Sequence, residues 1–73
     1  MPIPMTSHEI AQDLTDRISS GEYPPGQQLP TYRALMRLYN VGYTTIATVI
    51  QLLRDRGVVV GVPGRGVFVP EAD

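Results

Sequence analysis

Short hydroxyl and amide side chains interrupt an otherwise apolar segment in the second half of this chain. Thr44, Thr45, Thr48 and Gln51 alternate there with isoleucine, valine and leucine. Threonine is a weak helix former, and a plain solvated helix would normally carry lysine and glutamate instead. Such a conflict between helix propensity and the helical pattern of apolar residues is typical of a functional surface. Hydroxyl groups near a helix start can bind phosphate, because the helix dipole favours anions there.

Arginine supplies every basic side chain of the sequence, and its distribution is uneven. Residues 1–22 contain four acidic residues and one arginine, whereas residues 23–69 contain five arginines and one acidic residue. Residues 70–73 add two more acidic residues. The guanidinium group suits bidentate contacts with guanine and phosphate. A formal net charge of −1 therefore conceals a basic segment, in which Arg33 and Arg65 are the candidate contacts.

Enzymatic and metal chemistry find little support in the 73 residues. The sequence has no cysteine, and His8 is its only histidine. Thiolate zinc sites, histidine metal sites and catalytic triads are therefore implausible, and we expect neither a cofactor nor an enzyme. The first residues show no basic region followed by an apolar run, and no apolar stretch reaches the roughly 20 residues needed to span a membrane, so we expect neither a signal peptide nor a membrane span. We therefore expect a cytoplasmic location.

Helical signals define the elements that must position these side chains. Thr6 and Glu9 have the spacing of a capping box, which predicts a helix over about 7–20. A connector rich in proline follows, with a strand of one or two residues expected at Gln28–Leu29. Thr31 then caps a second helix over about 31–39.

The second helix leads through a tight turn into the third. Leu35, Leu38 and Tyr39 have the spacing of a buried face on the second helix. Asn40 tolerates the left-handed conformation and ends that helix. The third helix is predicted over about 43–56, with an apolar stripe at Ile46, Val49, Ile50 and Leu53. Thr44, Ala47, Thr48 and Gln51 fall on the opposite side.

Two β-branched runs complete the chain, at about 58–62 and 67–69. The turn Pro63–Gly66 joins them into a hairpin, which must pack on the helices to be stable. Three helices followed by a two-stranded β-hairpin wing predict an α+β fold, the winged helix-turn-helix. We expect one domain over residues 1–73. In that geometry the second helix of the pair enters the major groove of DNA.

Several stretches together resemble one family of bacterial regulators. Residues 18–31 read I-S-S-G-E-Y-P-P-G-Q-Q-L-P-T, residues 40–46 read N-V-G-Y-T-T-I, and residues 64–69 read G-R-G-V-F-V. In this order and spacing they are similar to the winged helix-turn-helix domain of the GntR family. The resemblance covers residues 10–69.

The resemblance implies a sequence-specific transcriptional regulator, more often a repressor, that binds double-stranded operator DNA. It implies that helix 43–56 reads a half-site in the major groove while wing 63–66 reaches the minor groove. The operator would be palindromic, could be bound by a homodimer, and would associate the protein with the nucleoid. The predicted DNA contacts are Arg33, Tyr43, Thr44, Thr45, Ala47, Thr48, Gln51, Gly64, Arg65 and Gly66.

Three departures from the family pattern keep an alternative open. Tyr43 and Ala47 stand where the family often has base-reading arginines, and Gly42 replaces the usual Ser or Thr cap. One lost bidentate contact removes about 1–3 kcal/mol of base discrimination. The alternative is a winged-helix module that binds protein and has lost specific DNA binding. Members of the family normally continue into an effector-binding and dimerising domain, and we expect no such domain within these 73 residues, whether they are a fragment or a short regulator.

Overall fold

Three helices and an antiparallel hairpin form the fold, in the predicted order. The computed structural model describes residues 5–71. Each helix has ends within one residue of the predicted ones, because the capping residues lie just outside the helical hydrogen-bonding pattern. The elements are α1 Ser7–Ser19, α2 Tyr32–Tyr39, α3 Tyr43–Asp55, β1 Val60–Val62 and β2 Gly66–Phe68.

Helix α1 begins at the predicted capping box. The Glu9 amide donates to Thr6 Oγ1 at 3.2 Å, and the Thr6 amide donates to Glu9 Oε1 at 2.9 Å. Ile10, Ala11 and Leu14 are fully buried against the core, and α1 packs mainly on α3. Satisfying two free amides at the start fixes where this helix enters the core.

Helix α2 is the short first helix of the helix-turn-helix pair. Its start is capped by Thr31, whose Oγ1 accepts from the Ala34 amide at 3.1 Å. It ends at Asn40, whose φ of 55° lies in the left-handed region as predicted. The side chain of Asn tolerates this conformation better than most, so the chain turns sharply into α3.

The predicted buried face of α2 is wrong at one residue. Leu35 is fully buried, but the side chain of Leu38 is 49 % exposed. Tyr32, Met36 and Tyr39 pack against the core instead. These residues share a face with Leu35 at the i, i+3, i+4, i+7 spacing, which turns Leu38 towards solvent.

Helix α3 supplies the largest share of the core. Its buried stripe is the predicted one, with Ile46, Val49 and Leu53 fully buried and Ile50 1 % exposed. Burial of each such side chain contributes about 1.5–3 kcal/mol. Gly42 precedes the helix without a side-chain cap, as expected from the loss of Ser or Thr there. Packing, rather than capping, therefore holds α3.

The wing is shorter and shifted relative to its predicted bounds of 58–62 and 67–69. Val60 pairs with Phe68 and Val62 with Gly66. Val58 lies outside β1 because its amide donates to the Leu53 carbonyl at 2.9 Å, which closes the end of α3. Val59, also outside β1, is buried in the core.

The connector before α2 lies alongside β2 and anchors it. Gln28 forms a single β-bridge with Phe68, in agreement with the short strand expected at Gln28–Leu29. The Leu29 amide donates to the Val67 carbonyl at 2.8 Å, and the Val69 amide donates to the Gln27 carbonyl at 2.9 Å. Val69 therefore pairs with the connector rather than with β1. The wing is thus tied to the helical core along one edge.

Candidate nucleic-acid interface

The outer face of α3 presents polar side chains to solvent. Thr44, Thr48 and Gln51 are exposed, and Ala47 between them is half-buried. Thr45 is also half-buried, because it lies about 100° around the helix from Thr44. Four of the predicted contacts thus share one outward face, and Thr45 lies on its flank.

Two of these polar groups already have partners within the helix. Thr48 Oγ1 donates to the Thr44 carbonyl at 3.0 Å, and Gln51 Nε2 donates to Asp55 Oδ1 at 2.9 Å. Both contacts are exposed and local. The threonine hydroxyl keeps its acceptor capacity, and the glutamine amide can rotate away from Asp55 at small cost. The face is therefore chemically available.

An aromatic pair joins the starts of α2 and α3. The Tyr32 and Tyr43 rings lie 5.4 Å apart between centroids, with an interplanar angle of 39°. Tyr43 remains 61 % exposed, so the contact fixes the ring without covering it. Tyr32 was not among the predicted site residues. Each tyrosine is the first residue of its helix, and only the turn between the helices brings them together.

Arg33 lies in the first turn of α2, a turn that contains no acidic residue. Its side chain is exposed and takes part in none of the ion pairs found within residues 5–71. Pairing with a local carboxylate would have given it a structural role. Its position near a helix start leaves it directed at solvent where anions are favoured.

The wing tip carries Arg65 between two glycines. Gln28 Nε2 donates to the Arg65 carbonyl at 2.9 Å, which ties the tip to the connector. Gly66 has a φ of 118°, and a Cβ there would lie 2.7 Å from Gln28 Nε2. Gly66 is thus required by the fold itself. A Cβ at Gly64 would meet only open space, so the tip is thin on that side.

A groove lies between the wing, α3 and the start of α2. Its volume is about 610 Å³, and Thr31, Tyr32, Arg54, Gly64 and Arg65 are among its lining residues. No acidic residue lines it. The groove brings Arg65 of the wing close to the two helices. Arg54 was not predicted as a site residue, although it follows Ala47 by seven residues on the same helix.

Away from the groove lining, side chains of α1 and α2 form a self-contained polar cluster. Tyr39 Oη donates to Asp13 Oδ2 at 2.6 Å, and Arg17 Nε donates to the same oxygen at 2.8 Å. Arg17 Nη1 also donates to Glu22 Oε2 at 2.8 Å, and the guanidinium lies 5.9 Å from the centre of the Tyr39 ring. The cluster joins α1 to α2. Tyr39, as expected, serves the fold.

This cluster shifts the pKa of its members. Hydrogen bonds from Tyr39 and then Arg17 hold the pKa of Asp13 below its usual value. Burial, followed by the hydrogen bond to Asp13, raises the pKa of Tyr39 above its usual range. The hydrogen bonds to Asp13 and Glu22 raise the pKa of Arg17. All three shifts favour the protonation states that bind one another at neutral pH.

Other kinds of site find no support in the part of the chain that the structure describes. Across residues 5–71, no group of three His, Cys, Asp or Glu side chains could hold a metal ion. None of the helices in that range combines the length and apolarity needed to cross a bilayer. The exposed face of α3 and the wing therefore remain the candidate site.

The fold has three helices and a β-hairpin wing, and α2 and α3 form a helix-turn-helix pair whose second helix has an exposed polar face. This arrangement defines a winged helix-turn-helix domain. The model of the family described as "Bacterial regulatory proteins, gntR family" matches residues 6–69. The chain belongs to this family, as the sequence resemblance predicted.

Curated relatives of this chain carry the names of transcriptional regulators. The chain is 42 % identical over 60 residues to the "Probable fructoselysine utilization operon transcriptional repressor" of Escherichia coli (strain K12), covering 82 % of this chain and 25 % of that protein. It is 32 % identical over 65 residues to the "Uncharacterized HTH-type transcriptional regulator YdcR" of the same strain, covering 88 % of this chain and 14 % of that protein. The chain thus spans a quarter or less of the length of these relatives. Their names describe regulators rather than enzymes, as expected for this chain.

Solved structures share the fold closely. YtrA from Sulfolobus acidocaldarius, a GntR-family transcription factor, superposes with a TM-score of 0.81 and 30 % identity, over 92 % of this chain and 70 % of that one. The DNA-binding domain of AraR, crystallised in complex with operator ORX1, superposes with a TM-score of 0.83 and 27 % identity, over 94 % and 90 %. The fold is that of GntR-family DNA-binding domains.

Proposed function

We propose that this chain binds operator DNA sequence-specifically and regulates transcription as a repressor. Helix α3 would lie in the major groove of a half-site, and the wing tip at residues 63–66 would reach the adjacent minor groove. The relative that forms an operator complex supports this assignment, because nearly the whole of each chain is covered by the superposition.

The division of α3 into two unlike faces carries the proposal. One face is fully buried at Ile46, Val49 and Leu53. The other exposes Thr44, Thr48 and Gln51. A helix anchored on one side and polar on the other can enter a major groove without disturbing the core.

Each proposed contact follows from side-chain chemistry. Thr44 and Thr45, in the first turn of α3, would bind phosphate, where the helix dipole also favours anions. Ala47 would contact a thymine methyl group, while Thr48 could do the same or accept a hydrogen bond. Gln51 would pair with adenine after leaving Asp55.

Tyr43 and the arginines would frame this contact. Tyr43, held by Tyr32, would present its ring edge and hydroxyl at the start of α3. Arg33 would reach a phosphate or guanine edge from the start of α2. Arg65, carried on a tip thinned by Gly64 and Gly66, would enter a narrow minor groove.

A palindromic operator and a homodimer on DNA are part of the same proposal. Half-sites related by two-fold symmetry are bound by symmetric dimers, and their spacing reflects the distance between the two recognition helices. Selection of random DNA duplexes against this chain tests the proposal directly. We expect a palindromic consensus whose half-site contains thymine and adenine opposite Ala47 and Gln51.

A salt titration of the selected duplex separates the two sequence-based hypotheses. Phosphate contacts release counterions, so the affinity should fall steeply with salt. Failure to enrich any consensus, together with a salt-independent association with another protein, would contradict the proposal and favour the protein-interaction module.

A further inference from the structure

The guanidinium group of Arg54 lies beside Gly61 of the wing. A Cβ built at Gly61, in the middle of β1, would lie 3.2 Å from Arg54 Cζ and 3.4 Å from both Nε and Nη2. The absence of a side chain at this position therefore lets the guanidinium rest on the strand. The wing and α3 meet at this contact.

The same arginine lies on the edge of the proposed recognition face. Arg54 follows Ala47 by seven residues and Tyr43 by eleven, so the three lie along one stripe of α3. Its side chain is exposed and lines the groove of about 610 Å³ between α3 and the wing. It takes part in none of the ion pairs found in residues 5–71.

The shape of duplex DNA decides what this groove can accept. Major and minor grooves are separated by a sugar–phosphate strand. If α3 occupies the major groove and the wing tip the minor groove, that strand must cross the space between them. The space is the groove that Arg54 and Arg65 line, and its lining contains no carboxylate to repel phosphate.

We propose that Arg54, positioned by Gly61, binds the phosphate strand that passes between α3 and the wing. The inference rests on the proposed function and adds a contact that the sequence pattern did not indicate. The planar guanidinium can donate two parallel hydrogen bonds to one phosphate. Resting on β1, it would enter the complex with little loss of side-chain freedom. Gly61 acts as a positioning residue.

Replacing Arg54 by glutamine tests the charge. We expect the affinity of Arg54→Gln for the selected operator duplex to fall about tenfold at low salt, as expected for losing a hydrogen bond to a charged group. The slope of log K against log salt should become shallower by about 0.9, the value for one phosphate contact. Arg54→Lys should retain most of the slope.

Arg56→Gln is the matched control. Arg56 is exposed, follows Arg54 by two residues and does not line the groove. The Arg56→Gln substitution removes the same charge from the chain, and we expect the salt slope to stay close to that of the unaltered protein. Equal slopes for Arg54→Gln and Arg56→Gln would overturn the proposal, because net charge alone would then explain the effect.

Replacing Gly61 by alanine tests the positioning. The new Cβ would lie 3.2 Å from Arg54 Cζ, so the flexible guanidinium should shift by a few tenths of an ångström while β1 remains paired. We expect Gly61→Ala to weaken binding several-fold in the presence of Arg54 and to add nothing to Arg54→Gln. Additive losses would contradict a shared contact. Thermal unfolding of each variant separates loss of contact from loss of fold.

Neutral methylphosphonate groups, placed singly in the operator, locate the contact. Neutralising one phosphate between the two grooves should weaken operator binding by the unaltered protein but not by Arg54→Gln. If every position affects both proteins equally, the inference fails while the proposed function stands. If no duplex is bound with a steep salt dependence, the proposed function itself fails.

Discussion

Arginines on two sides of this molecule have opposite surroundings. On the α1 side, Arg17 is held by Asp13 and Glu22, both at 2.8 Å. On the side of α3 and the wing, Arg33, Arg54 and Arg65 take part in none of the ion pairs found within residues 5–71. The same side chain thus serves the fold on one side and remains available for a ligand on the other.

The comparison shows why net charge is a poor guide to function in so small a chain. The acidic residues near the two ends of the sequence lower the total to −1, but two of them, Asp13 and Glu22, are engaged with Arg17. The surface around α3 and the wing is basic despite that total. Recognition of phosphate depends on this local excess of cations that have no ion-pair partner within residues 5–71, because screening limits the influence of distant charges to about 10 Å.

The largest loss of operator affinity is expected from Arg33 and Arg65, which take part in none of the ion pairs within residues 5–71. Arg33→Ala and Arg65→Ala should each weaken operator binding by about 1–3 kcal/mol, roughly five- to 150-fold. Fluorescence anisotropy with the selected duplex measures the change. Neither substitution removes a buried contact, so the urea midpoint of unfolding should stay within experimental error.

Arg17→Ala provides the converse control. It removes an arginine of the same charge from the α1 side, so it should lower stability and leave the affinity of the folded protein nearly unchanged. Equal losses of affinity for Arg17→Ala and Arg33→Ala would break the distinction between the two sides.

A smaller effect on base discrimination is expected from Tyr32. Tyr32→Ala removes the ring that packs on Tyr43, an aromatic contact of about 0.5–1.5 kcal/mol. The freed Tyr43 ring should tolerate base changes at its half-site position that the unaltered protein rejects. A scan of single base changes in the operator measures this. If the discrimination pattern is unchanged, Tyr32 has no part in recognition.

Tyr39 should affect stability alone. Tyr39→Phe removes the hydrogen bond to Asp13 and should lower the free energy of unfolding by about 1 kcal/mol. The ring stays in place, so operator affinity should not change. Tyr23→Phe is the matched control, because its hydroxyl makes none of the hydrogen bonds recorded in the described residues. A loss of DNA binding in Tyr39→Phe would contradict a purely structural role.

The smallest expected effect is the acid dependence of stability. Asp13 has a lowered pKa in the folded protein, so the unfolded chain takes up the proton first. The stabilisation is therefore present above the ordinary aspartate pKa of about 3.9 and is lost as pH falls below it. Since Asp13 is partly exposed, we expect less than about 1 kcal/mol.

Urea unfolding at a series of pH values from neutral to acid measures how much the ionised Asp13 side chain stabilises the fold. Asp13→Asn should be less stable at neutral pH and should show a weaker decline on acidification. Asp16→Asn, whose carboxylate accepts only from Gln12 within the described residues, is the control. A steeper decline in Asp13→Asn than in the unaltered protein would contradict the assigned direction.

Local signals explain how much of the fold was predictable. The capping box at Thr6 and the apolar stripe of α3 act within a few residues, so both are visible in the sequence. The buried face of α2 was harder to predict, because this eight-residue helix has two sets of apolar residues that could each face the core. Which stripe is buried depends on α3, and Leu38 was therefore misplaced.

The candidate site was predictable only in part, for a related physical reason. The outward face of α3 follows from helical periodicity, and the exposed position of Arg65 follows from the hairpin turn. The contacts of Arg54 with Gly61 and of Tyr32 with Tyr43 join separate elements. No local pattern encodes such contacts, because the packing of the whole fold sets their distances.

The most direct test of the central claim is a map of backbone amide NMR shifts on addition of the selected operator duplex. We expect the largest changes in α3 from Tyr43 to Gln51, at Arg33 and at the wing tip around Arg65. The outer face of α1 around Arg17 should change little. Large shifts around Arg17, with none along the outer face of α3, would contradict the claim that this face binds DNA.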